Sequence, residues 1–231
     1  MTHYAPAMTE TRTRTLLRCG IAAGPIYLVV GLGQAFTRDG FDMSRHALSL
    51  LSNGDLGWIQ ILNFLLTGVL VLAGALGVRR ALGGTRGGTW APILLAVYGI
   101  GLIGAGVFVA DPGFGFPPGT AAEGADMSRS GLLHFVFGGI GFYGLIGACF
   151  VFARRFRKHD EPGWSLYSAL TGAAFLISFG AIASGSTSAA TILTFYAAVA
   201  WVWIWHSAVL AHLAGLPAAT PIHEAVTVEA R

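Results

Sequence analysis

An aspartate and a histidine at the ends of two long apolar runs are the side chains best placed for chemistry in this sequence. Asp111 follows one run and His134 lies just inside the start of the next, so both should lie at one end of adjacent helices. Carboxylate and imidazole groups bind zinc, and a zinc-bound water becomes nucleophilic near neutral pH. Asp111 and His134, together with His46, are only weak metal candidates, because no HxxxH or HExxH spacing accompanies them.

Further polar residues lie on segments that should reach the same end of the molecule. Arg45, His46 and Ser49 fall between the first two apolar runs, and Asn63 lies early in the second run. Polar neighbours on the first and second runs are Gln34, Gln60 and Thr67. We predict one polar pocket at this end, formed by Arg45, His46, Ser49, Asn63, Asp111 and His134.

Three interpretations of this cluster are open from the sequence. In the first, Asp111 and His134 hold a metal ion. In the second, Arg45 pairs with Asp111 and His134 hydrogen-bonds nearby, so that the cluster is structural. In the third, the pocket binds a small solute or a lipid headgroup, and Arg45 contacts its anionic group. No cofactor is firmly implied.

His206 is a separate polar residue within the last apolar run. It follows Trp205, and the six runs contain no acidic residue that would pair with it. We expect a neutral histidine whose ring is satisfied by one or two hydrogen bonds to neighbouring helices. A proton-relay role has no acidic partner in the runs to support it.

Six apolar runs supply the elements that would position these residues. Each is long enough, or nearly so, to cross about 30 Å of hydrocarbon as a helix, and none contains Asp, Glu, Lys or Arg. The runs are 19–36, 58–78, 90–110, 132–153, 164–184 and 190–213. Open strands would leave backbone groups unpaired in lipid, and the runs lack the apolar/polar alternation of barrel strands. The sequence therefore predicts an all-α, polytopic transmembrane helix bundle with six spans, and its many glycines predict close helix packing.

The composition agrees with a membrane protein and argues against a nucleic-acid partner. Charged residues make up 11% of the chain and apolar residues 54%, whereas soluble domains carry about 25% charged residues. The net charge is +3, but the basic residues are dispersed among short connections and form no basic face. The expected partners are the lipid bilayer and a small solute or lipid.

The basic residues also predict the orientation of the bundle. Eleven of the fourteen Lys and Arg residues fall on the side that holds both termini, and Arg38, Arg45 and Arg129 fall on the other side. Both termini are therefore expected in the cytoplasm, with an uncleaved first helix in a bacterial cytoplasmic membrane. The chain then divides into a cytoplasmic N-terminal segment, a transmembrane domain and a disordered cytoplasmic tail, over residues 1–18, 19–213 and 214–231.

The same polar residues carry a resemblance to a known family. They are Ser-Arg-His-Ala-Leu-Ser-Leu-Leu-Ser at 44–52, Gly57-Trp58, Asn-Phe-Leu-Leu-Thr-Gly at 63–68, Asp111-Pro112 and His134-Phe135. In this pattern, over residues 15–213, the chain resembles a prokaryotic membrane-protein family catalogued as domain of unknown function 998. The resemblance implies six helices and supports the same polar cluster, and it implies no established activity.

For the whole protein we predict an outward-facing polar pocket with a binding or transport-related role towards a small solute or lipid headgroup. One alternative is a membrane-embedded Asp/His lipid hydrolase or modifying enzyme, with or without a metal. Another is a structural or accessory subunit. A carrier should show paired broken helices near the midplane, and the only proline well inside a run is Pro25, near one end of the first.

Overall fold

The computed structural model describes residues 4–122 and 127–215, which form six long helices and one short 3₁₀ helix. The α-helices are α1 (Tyr4–Thr37), α2 (Gly57–Leu82), α3 (Arg86–Val107), α4 (Arg129–Lys158), α5 (Pro162–Ala183) and α6 (Ala189–Gly215), and the 3₁₀ helix is Leu48–Ser52. Each α-helix is long and apolar enough to cross a membrane. The predicted six-span helical fold is confirmed, and the protein is a multi-pass membrane protein.

The first helix extends further towards the N-terminus than the first apolar run. α1 begins at Tyr4, so residues 4–18 of the predicted N-terminal segment continue the first span as helix. Residues 1–3 lie outside the described residues, as do residues 216–231, which make up most of the predicted tail.

N-cap hydroxyls and a proline mark where three of the helices begin. The Thr85 hydroxyl accepts a hydrogen bond from the Gly88 N–H at 3.1 Å before α3, and the Ser128 hydroxyl accepts one from the Gly131 N–H at 3.0 Å before α4. Pro162 begins α5, where its missing N–H costs no hydrogen bond. The chain therefore starts these helices where the first-turn N–H groups are satisfied or absent.

The helices pack in chain order and close into a ring, because α6 returns to contact α1. Glycines form the tightest contacts. A Cβ on Gly101 of α3 would lie 2.6 Å from the Cα of Gly141 on α4, and a Cβ on Gly74 of α2 would lie 2.8 Å from the Cα of Gly20 on α1. The predicted close packing through small residues is confirmed.

Two long connections cover one end of the ring, which we call the long-loop end. Residues 38–56 join α1 to α2, and residues 108–122 follow α3. Phe116 of the second connection is fully buried and packs edge-on against Phe41 of the first, with ring centroids 5.1 Å apart. The two connections therefore pack together as one cover over the bundle.

Candidate functional site

A cavity of about 390 Å³ lies inside the ring at the long-loop end. All six helices contribute to its wall. The interior is mainly apolar, and the aromatic side chains of its wall are Tyr27, Phe64, Tyr98, Phe114, Phe135, Phe142, Phe179, Phe195 and Tyr196. A volume and a wall of this kind are typical of sites for small organic ligands.

Polar side chains concentrate where the cavity meets the two long connections. Arg45, Ser49 and Asp111 line this part of the wall, which we call the mouth, and His134 of α4 lies beside it. Arg45 is exposed, and its guanidinium forms no hydrogen bond or salt bridge with a described residue. The structure thus brings four of the six predicted site residues to one cavity.

His134 holds the end of α3. Its Nδ1 lies 3.0 Å from the carbonyl oxygen of Ala105 and 2.9 Å from that of Phe108, in the last turn of α3 and just beyond it. Because both partners are acceptors, Nδ1 carries a proton and donates to both, and in the neutral ring the lone pair is then on Nε2. His134 is 7% exposed and lines the cavity, and Nε2 has no partner among the described residues.

Asp111 holds the start of α4 from the opposite direction. Its Oδ2 accepts a hydrogen bond from the Ser128 N–H at 2.8 Å, and its Oδ1 accepts one from the Ser128 hydroxyl. The carboxylate also lies against Gly131, where no Cβ would fit. A negative charge here is stabilised by the positive N-terminal end of α4.

Asp111 and His134 therefore form a reciprocal clamp between neighbouring helices. A side chain of α4 satisfies carbonyls at the end of α3, and a side chain that follows α3 caps the start of α4 through Ser128. The predicted ion pair between Arg45 and Asp111 is wrong, since these two residues form no salt bridge. The carboxylate is instead used by Ser128.

His46 joins the two long connections and does not line the cavity. Its Nε2–H donates to the carbonyl of Phe114 at 2.9 Å, and its Nδ1 accepts a hydrogen bond from the Asp42 N–H at 2.9 Å. The Tyr196 hydroxyl donates to the His46 carbonyl at 2.7 Å. Both ring nitrogens of His46 are thus paired, so the ring is buried without an unpaired nitrogen and away from the cavity. In the same connection, hydrogen bonds from the Ser44 hydroxyl and N–H to the Asp42 carboxylate lower the pKa of Asp42.

Asn63 also lies outside the cavity wall, between α1 and α2. Its amide nitrogen donates to the Tyr27 carbonyl at 3.2 Å and to Gln60 Oε1 at 3.3 Å. Gln34 donates to the same Gln60 oxygen at 2.9 Å. These three amides are almost fully buried and connect the two helices, so the polar face of α2 is turned towards α1.

The three weak metal candidates do not share one set of ligand positions. Asp111 is occupied by Ser128, and His46 has no free ring nitrogen. Within residues 4–122 and 127–215, no three His, Cys, Asp or Glu side chains are grouped so that they could hold a metal ion.

Sequence reasoning missed the tyrosines of the cavity. Tyr27 and Tyr98 are 6% and 2% exposed, pack on the Trp203 ring with centroids 4.9 and 5.4 Å away, and line the wall. Neither hydroxyl has a partner among the described residues. Tyrosines inside apolar runs were the available signal, because a phenol within a span needs a hydrogen-bonding partner.

His206 does not have the hydrogen bonds that we expected. The residue is fully buried in α6, and both ring nitrogens lack a partner among the described residues. Its clearest neighbour is Trp203, whose ring lies edge-on with centroids 5.7 Å apart. The prediction of interhelical hydrogen bonds at His206 is therefore wrong.

The comparisons with known proteins identify the family. The family model described as "Protein of unknown function (DUF998)" matches residues 21–212. The chain belongs to this family. The match covers the second to fifth spans completely and parts of the first and sixth, and it includes the mouth residues and the Asp111–His134 clamp of this DUF998 protein. No curated protein and no solved structure matches the chain.

Proposed function

We propose that this DUF998 protein binds an amphipathic ligand, with the ligand's anionic group at the mouth and its apolar part inside the cavity. The supporting observation is the cavity itself, which combines a mainly apolar interior that is rich in aromatic side chains with a polar mouth. Arg45 supplies a cation there whose guanidinium forms no salt bridge or hydrogen bond with a described residue. Guanidinium groups bind carboxylates and phosphates through paired, charge-assisted hydrogen bonds, so the anionic group belongs beside Arg45.

We further propose that the long-loop end faces away from the cytoplasm, in a bacterial cytoplasmic membrane. The excess of Lys and Arg on the opposite side supports this orientation. The ligand would then reach the mouth from the outer surface or from the outer leaflet, and the function would be binding or transport-related.

Cysteine labelling tests the orientation. In a variant with Cys19→Ser and Ser49→Cys, a membrane-impermeant maleimide should label intact bacterial cells, because Ser49 lies at the mouth. The matched control places the cysteine at Thr85, on the short connection before α3 at the other end, and should be labelled only after the cells are opened. The reverse pattern would contradict the proposed orientation.

Removal of the Arg45 charge tests the ligand. Dodecyl phosphate should bind the protein in nanodiscs at one saturable site, and Arg45→Ala should weaken binding about three- to tenfold, as expected for a partly exposed charge-assisted contact. Arg129→Ala is the matched control, because Arg129 is an exposed arginine at the same end that does not line the cavity. Isothermal titration calorimetry measures both affinities.

Two results would contradict the proposal. One is the absence of saturable binding to folded wild-type protein. The other is an equal loss of affinity in Arg45→Ala and Arg129→Ala, which would mean that only the overall charge of this end matters. Inorganic phosphate in the same titration should bind far more weakly, because it cannot bury apolar surface in the cavity.

A further inference from the structure

We infer that the ligand is a bilayer lipid whose chain reaches the cavity sideways, through a gap between α4 and α5. This inference rests on the proposed binding function and names its substrate class, a lipid with an anionic headgroup. A ligand that came only from water would need the mouth alone.

The gap begins where the contacts between α4 and α5 end. Towards the short-connection end the two helices are tightly packed. A Cβ on Gly172 of α5 would lie 2.9 Å from Cβ of Cys149 on α4, and the Ser165 hydroxyl donates to the Ala153 carbonyl at 2.9 Å. The two helices are therefore in direct contact there.

Near the middle of the bundle the contact is made by aromatic rings. Phe142 of α4 lies edge-on to Phe179 of α5 with centroids 5.1 Å apart, and Tyr143 lies 5.5 Å from the same ring. One turn nearer the long loops, a Cβ on Gly139 would meet only the tip of Phe179, at 3.8 Å. A Cβ on Gly138 would have no neighbour within 4 Å.

The open stretch is part of the cavity wall. Phe135, Gly138, Gly139 and Phe142 follow one another at helical spacing on one face of α4, and all four line the cavity. Ile182 of α5 lines it from across the gap. Phe135 lies inside the membrane span and is 62% exposed, so the cavity wall is continuous here with the surface that meets lipid.

Polar groups inside the cavity indicate that this space receives a ligand and is not merely a packing defect. His134 Nε2 and the hydroxyls of Tyr27 and Tyr98 lack partners among the described residues, although each of these side chains is more than nine-tenths buried. An unpaired polar group inside a membrane protein is costly. With the phosphate beside Arg45, the ester oxygens of a lipid would accept hydrogen bonds from the two phenols, while the chain extends through the gap into the bilayer.

Photocrosslinking tests the gap. p-Benzoylphenylalanine is placed at Gly138, in the gap, or at Gly180 of α5, whose surroundings are equally open but which lies outside the cavity wall. The full-length protein in phosphatidylcholine nanodiscs receives a trace of ω-alkynyl dodecyl phosphate. We expect at least several-fold more labelling at position 138 than at 180, and competition by untagged dodecyl phosphate only at position 138.

The possible outcomes distinguish a failure of the lateral route between α4 and α5 from a failure of ligand binding itself. If wild-type protein binds dodecyl phosphate but positions 138 and 180 label equally, the side route is wrong and the binding function stands. A covalent protein dimer at position 138 would also overturn the inference, because the gap would then be covered by a second copy of the chain. If folded wild-type protein binds no dodecyl phosphate, the proposed function itself fails.

Discussion

Replacing His134 with leucine is expected to destabilise the protein, whereas the same replacement at His206 should leave its stability unchanged or raise it. Loss of His134 Nδ1–H leaves the Ala105 and Phe108 carbonyls without their donor. Buried carbonyls that lose a partner cost about 1–3 kcal/mol. At His206 the change removes two buried nitrogens that have no partner in the described part of the chain, so the penalty of burying them disappears.

The measurement is unfolding of each purified variant by heat in the same detergent. His134→Asn serves as a second control, because the amide N–H of asparagine can take the place of the histidine Nδ1–H. His134→Asn should therefore recover much of the stability that His134→Leu loses, while it removes the Nε2 lone pair from the cavity. Equal destabilisation by leucine at positions 134 and 206 would contradict the clamp, since only general helix packing would then be involved.

The second large effect is expected from phenylalanine substitutions one turn apart on α6. Val199 lines the cavity, whereas Val202 is 1% exposed and packed in the core outside it. The added ring of Val199→Phe enters free space, so the fold should be retained while the ligand site is partly filled. In Val202→Phe the ring has no space, and overpacking of this kind costs about 1–3 kcal/mol.

The two variants should therefore separate binding from stability. We expect Val199→Phe to lose at least about tenfold in dodecyl phosphate affinity, a loss of about 1.4 kcal/mol, with an unfolding temperature near that of wild type. Val202→Phe should unfold at a lower temperature and should bind with near wild-type affinity while folded. If Val199→Phe binds as well as wild type, the ligand does not occupy the cavity.

The spans and the meeting of Asp111 with His134 could be predicted from the sequence. Apolar runs without charges allow only helices, and two residues at the facing ends of consecutive antiparallel helices must lie near each other. Their roles could not be predicted, because the partners of His134 are backbone carbonyls whose positions depend on where α3 ends. The amino-acid sequence does not show which backbone carbonyls at the end of a helix lack a hydrogen-bond donor.

The misplacement of Asn63 and His46 has a different cause. Helical spacing places Asn63 on one face with Gln60, but it does not tell whether that face meets α1 or the space inside the ring. His46 lies on a connection without regular periodicity, and its hydrogen bonds to Asp42 and Phe114 arise only when the two long connections fold together. The gap between α4 and α5 was equally hidden, because Gly138 and Gly139 resemble the packing glycines elsewhere in the third and fourth runs.

Native mass spectrometry of the protein extracted gently from its membrane tests the central claim most directly. If the cavity holds a bilayer lipid, wild-type protein should retain one anionic lipid molecule per chain, and Val199→Phe, folded to the same extent, should lack it. Wild-type protein without a bound lipid, or the same lipid on both proteins, would contradict the account.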